Sequence, residues 1–139
     1  GEHDVQFSYA ESDRTNFIVY ADKEELNSVF VNVLKNAIQS IPYEREGKIF
    51  VSVSPDDSNK NVIVSVRDNG IGIPEGLGER LFEPNFTTKS SGMGLGLAIV
   101  KKIIEDIHGE IWYKPNEGEG TTFFVKIPLY ISDDQENAD

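Results

Sequence analysis

One segment near the start of the chain repeats apolar residues with the period of an α-helix. It follows Asp22, which is typical of a helix N-cap, and Glu25 stands three residues later as the second half of a capping box. The apolar positions recur at i, i+3, i+4 and i+7, at Leu26, Val29, Phe30, Val33, Leu34, Ala37, Ile38 and Ile41. Pro42 helps to end the repeat. The pattern therefore predicts a long amphipathic helix.

Several shorter segments alternate apolar and polar residues or are continuously apolar, which is typical of β-strands. The predicted strands are residues 5–10, 17–20, 48–54, 61–68, 110–114 and 121–131. The turn sequence PDDSN separates the third strand from the fourth, and PNEGEG separates the fifth from the sixth. These turns predict two antiparallel hairpins.

A second apolar repeat predicts a helix over residues 95–107, with Gly109 as its C-cap. Its apolar face consists of Leu97, Val100, Ile104 and Ile107. Residues 69–94, before this helix, are rich in glycine and predict a long loop with at most a short helix near residues 75–82. The elements together predict an α+β fold, a two-layer α/β sandwich in which helices cover one face of a mixed, mostly antiparallel sheet.

The length of 139 residues fits a single domain, residues 1–131, followed by an acidic tail, residues 132–139, that is expected to be disordered. No apolar run is long enough to cross a bilayer, so the domain itself is expected to make no membrane contact. The first residues lack the pattern of a signal peptide. We therefore expect a domain excised from a larger cytoplasmic protein, and the membrane anchoring of that parent stays open.

The composition excludes several kinds of binding site and partner. The chain has no cysteine, which excludes disulfides and thiolate zinc sites, and its two histidines, His3 and His108, are far apart in sequence. A net charge of −11 argues against nucleic acid as a partner, because binding to a phosphate backbone needs excess lysine and arginine. A small polyphosphate remains compatible, provided that backbone amides, a few basic groups or a divalent cation supply local positive potential.

Polar residues interrupt the first helix on one side. Asn32 and Asn36 lie one turn apart, and Lys35 and Gln39 share that side of the helix. The simple interpretation is a solvated helix face. A carboxamide oxygen is nevertheless a suitable ligand for magnesium, which keeps several waters and takes further ligands from phosphates.

A second candidate follows the strand at residues 61–68. The sequence DNGIGI places the carboxylate of Asp68 at the strand end, beside two glycines that allow a ligand to approach the backbone. Aspartate, asparagine and glycine are also the residues of an ordinary turn. A buried carboxylate, which only accepts hydrogen bonds, would select a heterocycle that bears an amino group, such as adenine.

The third candidate is the sequence GMGLGLAIV at the start of the second helix. Gly92, Gly94 and Gly96 would let a phosphate reach the unbonded amides at a helix N-terminus. By itself this spacing is a weak signal. It is not the dinucleotide-binding fingerprint, because no strand directly precedes it, and it is not a P-loop, because no lysine with serine or threonine follows.

Taken in order, these motifs resemble the ATP-binding catalytic domain of sensor histidine kinases, within the superfamily that also includes type II topoisomerases and heat-shock chaperones. The asparagine box is NVLKNA, the first glycine box DNGIGI, the phenylalanine box LFEPNFTTK and the second glycine box GMGLGLAIV, and GEGTTFFVKIPL closes the domain. The resemblance runs from about Phe17 to Leu129. It implies the Bergerat-type ATP-binding fold, with ATP and Mg²⁺ as cofactors.

The resemblance also implies roles for individual residues. Asn36 would ligate magnesium, Asp68 would accept the adenine amino group, and Thr121 would help to order water at the base. The catalytic groups around the triphosphate would be Asn36, Lys35 and Lys89. The residues expected to bind the nucleotide are Asn32, Asn36, Asp68, Gly70, Gly72, Phe82, Phe86, Thr87, Thr88, Lys89, Gly92, Gly94, Leu95, Gly96 and Thr121.

The resemblance makes residues 75–93 a lid over the nucleotide, anchored by Phe82 or Phe86, with Lys89 reaching toward phosphate. The lid is expected to be least ordered from Thr87 to Met93 when no nucleotide is bound. Many family members carry a lysine where this chain has Gln39. Neutralisation of the triphosphate is therefore expected to rely on Lys35, Lys89 and magnesium.

The function implied is transfer of the γ-phosphoryl group of ATP to a histidine on a separate helical dimerisation domain, which this sequence lacks. His3 has an acidic neighbour but no convincing helix, and His108 is read as a partner of the helix C-terminus or a packing group. The implied partners are ATP, the dimerisation domain of the same parent kinase and, indirectly, a response regulator.

Two alternatives belong to other functional classes. The first is an ATP-driven conformational ATPase of the same superfamily, in which a glutamate that activates water would stand where this chain has Asn32. The second is a non-catalytic ATP-binding or scaffold module. The intact motifs argue against this second alternative.

Overall fold

Within the residues that the structure describes, the sheet has five strands. A computed structural model describes residues 5–11, 17–84 and 96–130 of the chain. The strands are β1 Val5–Glu11, β2 Gly47–Pro55, β3 Asn61–Asp68, β4 Glu110–Pro115 and β5 Thr121–Pro128. Their order is β1-β2-β3-β5-β4, with β1 parallel to β2 and every other pair antiparallel. The mixed, mostly antiparallel sheet and both predicted hairpins are confirmed.

Two helices cover one face of this sheet. They are α1, Lys23–Gln39, and α2, Leu97–Asp106, and a short 3-10 turn, Gly78–Arg80, lies between them in sequence. Asp22 caps α1 as predicted, because its Oδ1 accepts a hydrogen bond of 2.9 Å from the backbone N–H of Glu25. The two-layer α+β architecture is therefore the predicted one.

The core lies between the two layers. Along the covered face of the sheet, Val66 pairs with Val51 on one side and with Phe123 on the other. The helices contribute side chains that are almost completely buried, among them Val29 and Val33 of α1 and Leu97, Val100 and Ile104 of α2. Burial of these apolar surfaces fixes both helices over the strand ends that carry the polar site.

The predicted strand at residues 17–20 is wrong. These residues form an irregular segment, which is tied to the residues that follow β5, where the N–H of Tyr130 donates to the carbonyl of Ile18 at 2.7 Å. Phe17 and Val19 pack against the core while Ile18 and Tyr20 are exposed. The segment thus has the burial alternation of a strand but pairs with no strand of the described sheet.

The predicted C-cap of α2, Gly109, is wrong by two residues, because Ile107 is the C-cap and His108 follows it. His108 adopts the left-handed conformation, with φ 66°, and the N–H of Gly109 donates to the carbonyl of Ile104 at 2.8 Å. A Cβ atom at Gly109 would collide with the carbonyl oxygen of Lys126. The glycine is therefore required for close approach to β5, and the histidine takes the strained backbone position.

The region between β3 and α2 contains the predicted short helical element, a 3-10 turn, and residues up to Pro84 are described. The expected lid segment from Thr87 to Met93, Leu95, where the second helix was predicted to begin, and the acidic tail lie outside the described residues. Among the residues that are described, no helix is long and apolar enough to cross a membrane.

Candidate functional site

A carboxylate is buried at the end of β3. Asp68 is only 2% exposed, and its Oδ1 accepts hydrogen bonds from the backbone N–H groups of Gly70, at 2.9 Å, and Thr121, at 3.2 Å. Burial raises the pKa of Asp68, while these two bonds and one from the Ser40 side chain oppose the rise. A buried acceptor that is held by the backbone in this way is suited to selecting a ligand that donates a hydrogen bond.

Glycines line the backbone around this carboxylate. A Cβ atom at Gly70 would collide with the side chain of Ser40, and one at Gly120 would collide with the carbonyl of Asp68. Gly72 has φ +79°, which favours glycine. Gly70 and Gly120 are therefore required for close packing of the segments around Asp68. Gly70 and Gly72, which the sequence predicts to bind nucleotide, both lie in the segment that follows Asp68.

The C-terminal turn of α1 forms the polar wall of the site. Asn36 and Ser40 are 3% and 5% exposed, and they lie one helical turn apart. The hydroxyl of Ser40 donates to the carbonyl of Ala37 at 2.8 Å, and its own carbonyl accepts from the N–H of Ile71 at 2.9 Å. The helix end is thus joined directly to the loop that follows Asp68.

The start of α2 lies against Asn32. Gly96 is the N-cap of α2, with φ 82°, and a Cβ atom there would collide with the Oδ1 of Asn32. The Nδ2 group of Asn32 donates backward along α1 to the carbonyl of Ser28 at 2.8 Å, which directs Oδ1 toward Gly96. The positive end of the α2 dipole therefore lies beside the polar side of α1.

The base of the expected lid is anchored by a residue that the sequence analysis missed. Leu81 is 1% exposed, and Leu77 and Phe82 pack against the core as partly buried residues. The ring centroid of Phe82 lies 5.9 Å from the Nζ of Lys101 on α2. Phe82 thus packs between the core and α2, while Leu81 is the more deeply buried of the two residues.

The remaining predicted residues divide into two groups. Lys35 is exposed on α1, on the side that carries Asn32 and Asn36. Seven of the residues predicted to bind nucleotide lie outside the described part of the chain, namely Phe86, Thr87, Thr88, Lys89, Gly92, Gly94 and Leu95.

Three polar residues near Asp68 were missed because they belong to no motif. Ser40 contacts Gly70, Arg45 donates to the carbonyls of Asn69 and Gly70, and Asn116 donates to the carbonyl of Asp68. Arg45 and Asn116 are in loops far from Asp68 in sequence, so no periodicity could have indicated them. Ser40 stands one turn after Asn36 on the predicted helix, which was the available signal.

Known proteins resemble this chain both in sequence and in fold. Residues 21–131 match the family described as histidine kinase-, DNA gyrase B- and HSP90-like ATPase. The catalytic domain of histidine kinase ThkA, a nucleotide-free structure, superimposes with a TM-score of 0.76 at 40% identity, covering 89% of this chain and 80% of that one. A mycobacterial sensor histidine kinase, MprB, gives a TM-score of 0.78 at 27% identity, covering 93% of this chain and 85% of that one.

Among curated relatives, sporulation kinase E of Bacillus subtilis is 43% identical over 111 residues, which is 80% of this chain and 15% of that protein. Sensor histidine kinase ZraS of Escherichia coli is 39% identical over 114 residues, 82% of this chain and 24% of that protein. The chain therefore spans a small part of the length of these relatives. It belongs to the histidine kinase-, DNA gyrase B- and HSP90-like ATPase family, and within that family it is a sensor histidine kinase ATP-binding catalytic domain.

Proposed function

We propose that this domain binds Mg²⁺-ATP and transfers the γ-phosphoryl group to a histidine on a helical dimerisation domain of the same parent kinase. The observation that carries the proposal is the buried carboxylate of Asp68. Its Oδ1 accepts from the N–H groups of Gly70 and Thr121, so Oδ2 is the oxygen that would accept from an amino group of the ligand. Adenine offers such an amino group, whereas guanine presents a carbonyl oxygen at the same ring position.

The donor set fits a magnesium ion that is shared with phosphates. Asn36 would contribute one neutral carboxamide oxygen from a site that is 3% exposed. Magnesium in nucleotide sites keeps several waters and completes its octahedron with phosphate oxygens, so one protein ligand is sufficient. When bound, the ion would neutralise charge on the triphosphate.

The start of α2 is the proposed place of the phosphates. The N-terminal amides of a helix and its dipole favour an anion, and Gly96 keeps this end open beside Asn32. Lys35, which is exposed on the same side of α1, would add a positive charge near the triphosphate. The roles of Phe86, Thr87, Thr88, Lys89, Gly92, Gly94 and Leu95 stay predictions from the sequence.

The transfer step needs little acid or base chemistry from this domain. A ring nitrogen of the acceptor histidine would attack the γ-phosphorus as its bond to the β,γ-bridging oxygen breaks, which yields phosphohistidine and ADP. A neutral imidazole has a lone pair on one nitrogen, so no base has to remove a proton before attack. The domain would act by holding ATP in line and by stabilising the charge on the phosphoryl group.

Two solved relatives support the expected ligand and partners. ShkA, 26% identical with a TM-score of 0.75, is known as a full-length protein in complex with AMPPNP. ThkA, 36% identical in another structure, is known in complex with the response regulator TrrA. By analogy we propose ATP as the ligand of this domain and a response regulator as an indirect partner. The cytoplasmic location stays a prediction from the sequence.

The magnesium site can be tested by calorimetry with Asn36→Ala. ATP is titrated into the protein with MgCl₂ and, separately, with excess chelator, and Asn27→Ala serves as the control because Asn27 is exposed on the same helix. The wild type and Asn27→Ala should bind ATP more tightly with magnesium, and Asn36→Ala should lose about tenfold or more of that gain. An unchanged magnesium effect in Asn36→Ala would refute the assignment.

A further inference from the structure

The turn that follows Asp68 is held from outside by an arginine. The Nη1 group of Arg45, in the loop between α1 and β2, donates to the carbonyl of Asn69 at 2.5 Å and to that of Gly70 at 3.0 Å. The side chain of Asn69 strengthens the same junction, since its Oδ1 accepts from the N–H of Lys48 at 2.8 Å and its Nδ2 donates to the carbonyl of Glu46 at 2.9 Å. The α1–β2 loop and the turn therefore form one unit.

Arg45 also reaches the turn between β4 and β5. Its Nη1 lies 3.6 Å from the Oε2 of Glu119, and the arginine side chain is 32% exposed. In that turn, Asn116 donates to the carbonyl of Asp68 at 2.9 Å and to that of Glu119 at 3.1 Å. One guanidinium therefore connects the two turns that flank the Asp68 carboxylate.

These two turns supply both backbone donors to Asp68. Gly70 comes from the turn after β3, and Thr121 follows the β4–β5 turn directly. The orientation of the carboxylate therefore depends on the relative placement of the two turns. The guanidinium can fix that placement, because its Nη1 group donates to both carbonyls of the first turn and carries its charge beside Glu119 of the second.

We infer that Arg45 is a positioning residue for the adenine end of the nucleotide site. It acts through Asn69, Gly70 and Glu119, and it keeps the Asp68 carboxylate aimed at the base. The inference rests on the proposed function, because it assumes that Asp68 accepts from adenine. It adds a residue from a loop that carries none of the ATP-binding motifs.

A competing explanation is that Arg45 attracts the triphosphate by its charge. The two explanations differ in what the nucleotide must contain. A charge effect should weaken ATP more than ADP when Arg45 is removed, because ATP carries more negative charge. A positioning effect at the base should weaken ATP and ADP equally, and it should be smaller for inosine triphosphate, which has a carbonyl where ATP has the amino group.

The experiment measures dissociation constants for ATP, ADP and inosine triphosphate with magnesium, by calorimetry, on the wild type, Arg45→Ala and Arg45→Lys. Arg67→Ala is the matched control, because Arg67 is exposed, adjacent to Asp68 in sequence and of the same charge. We expect Arg45→Ala to bind ATP and ADP about three- to tenfold more weakly, and inosine triphosphate with a smaller change. Arg67→Ala should bind all three like the wild type.

Arg45→Lys keeps the charge but replaces the planar Nη1 group by an ammonium on a flexible stem, so its affinity for ATP should be below that of the wild type and above that of Arg45→Ala. This variant decides the question if Arg45→Ala does not fold. Three results would each overturn the inference. The first is wild-type affinity for ATP in both Arg45→Lys and Arg45→Ala. The others are a larger loss of affinity for ATP than for ADP, and a loss for inosine triphosphate as large as that for ATP. Absence of ATP binding by the wild type would instead overturn the proposed function and the inference with it.

Discussion

Replacement of Asp68 by asparagine should separate the stability of the domain from its affinity for ATP. Burial raises the pKa of Asp68 above its ordinary value of 3.8, because burial disfavours the carboxylate form in the folded state. Because the pKa is higher in the folded state, protonation of Asp68 contributes to the stability of the fold. This contribution is fully present below pH 3.8 and is lost as pH rises through the higher pKa of the folded state. Asparagine has nearly the same shape and no charge. The ligand-free variant should therefore be more stable than the wild type at neutral pH, and the gain should shrink as pH falls toward 4.

The same substitution should weaken ATP binding strongly. The N–H groups of Gly70 and Thr121 both donate to Oδ1 of Asp68, so asparagine must keep its oxygen there and present its NH₂ group to the adenine amino group. The opposite amide orientation would direct the NH₂ group at the two backbone donors. A hydrogen bond to a charged group contributes about 1.5 to 3 kcal/mol, which corresponds to a loss of roughly 10- to 100-fold in affinity.

Two measurements test this pair of expectations. Urea denaturation without nucleotide, from pH 4.5 to 8, gives the stability difference between Asp68→Asn and the wild type, and calorimetry at pH 7.5 gives the ATP affinity. Asp106→Asn is the control, because Asp106 is exposed and lies in a surface ion pair with Lys102. If Asp68→Asn bound ATP like the wild type, or were less stable than the wild type at neutral pH, the reasoning about this carboxylate would be wrong.

Two further predictions concern the phosphate end and the lid base. Gly96→Ala should be destabilised by about 1 to 2 kcal/mol through backbone strain, and it should also bind ATP more weakly because its Cβ would displace Asn32. The control is Gly118→Ala, which has a similar φ of +89° and no atom near its Cβ, and which should show only the strain. Urea denaturation measures the stability of both variants, and calorimetry measures their affinity for ATP. Leu81→Ala should lose about 2 to 5 kcal/mol of unfolding free energy, measured by urea denaturation. Phe82→Ala should lose less, because Phe82 is only partly buried. An equal or larger loss for Phe82→Ala would show that Phe82, and not Leu81, is the main anchor.

The sequence predicted the architecture where burial repeats with a regular period. Helix α1 and the hairpins of β2 with β3 and of β4 with β5 formed as expected, because each has one apolar face and turn residues at its ends. Residues 17–20 have the same alternation and form no strand. Alternation reports which side chains are buried, whereas a ladder also needs a neighbouring strand with open hydrogen-bonding groups.

The candidate site was predicted where a residue belongs to a motif. Asp68, Gly70 and Thr121 are brought together as expected, and Asn32 meets Gly96. Residues that act across loops could not be found in this way. The contacts of Arg45 and Asn116 near Asp68 depend on how three loops pack against one another, and a single sequence carries no periodic signal for the packing of loops.

The central claim is that this domain transfers phosphate from ATP to a histidine outside itself. The most direct test incubates the domain with magnesium and ATP labelled in its γ-phosphate, together with the separate dimerisation domain of its parent kinase. The acceptor domain should gain an acid-labile, base-stable label, and this label should be lost when its histidine is replaced by alanine or when Asp68→Asn is used. Rapid ATP hydrolysis by the domain alone, with no label on the histidine, would contradict the claim and indicate an ATPase.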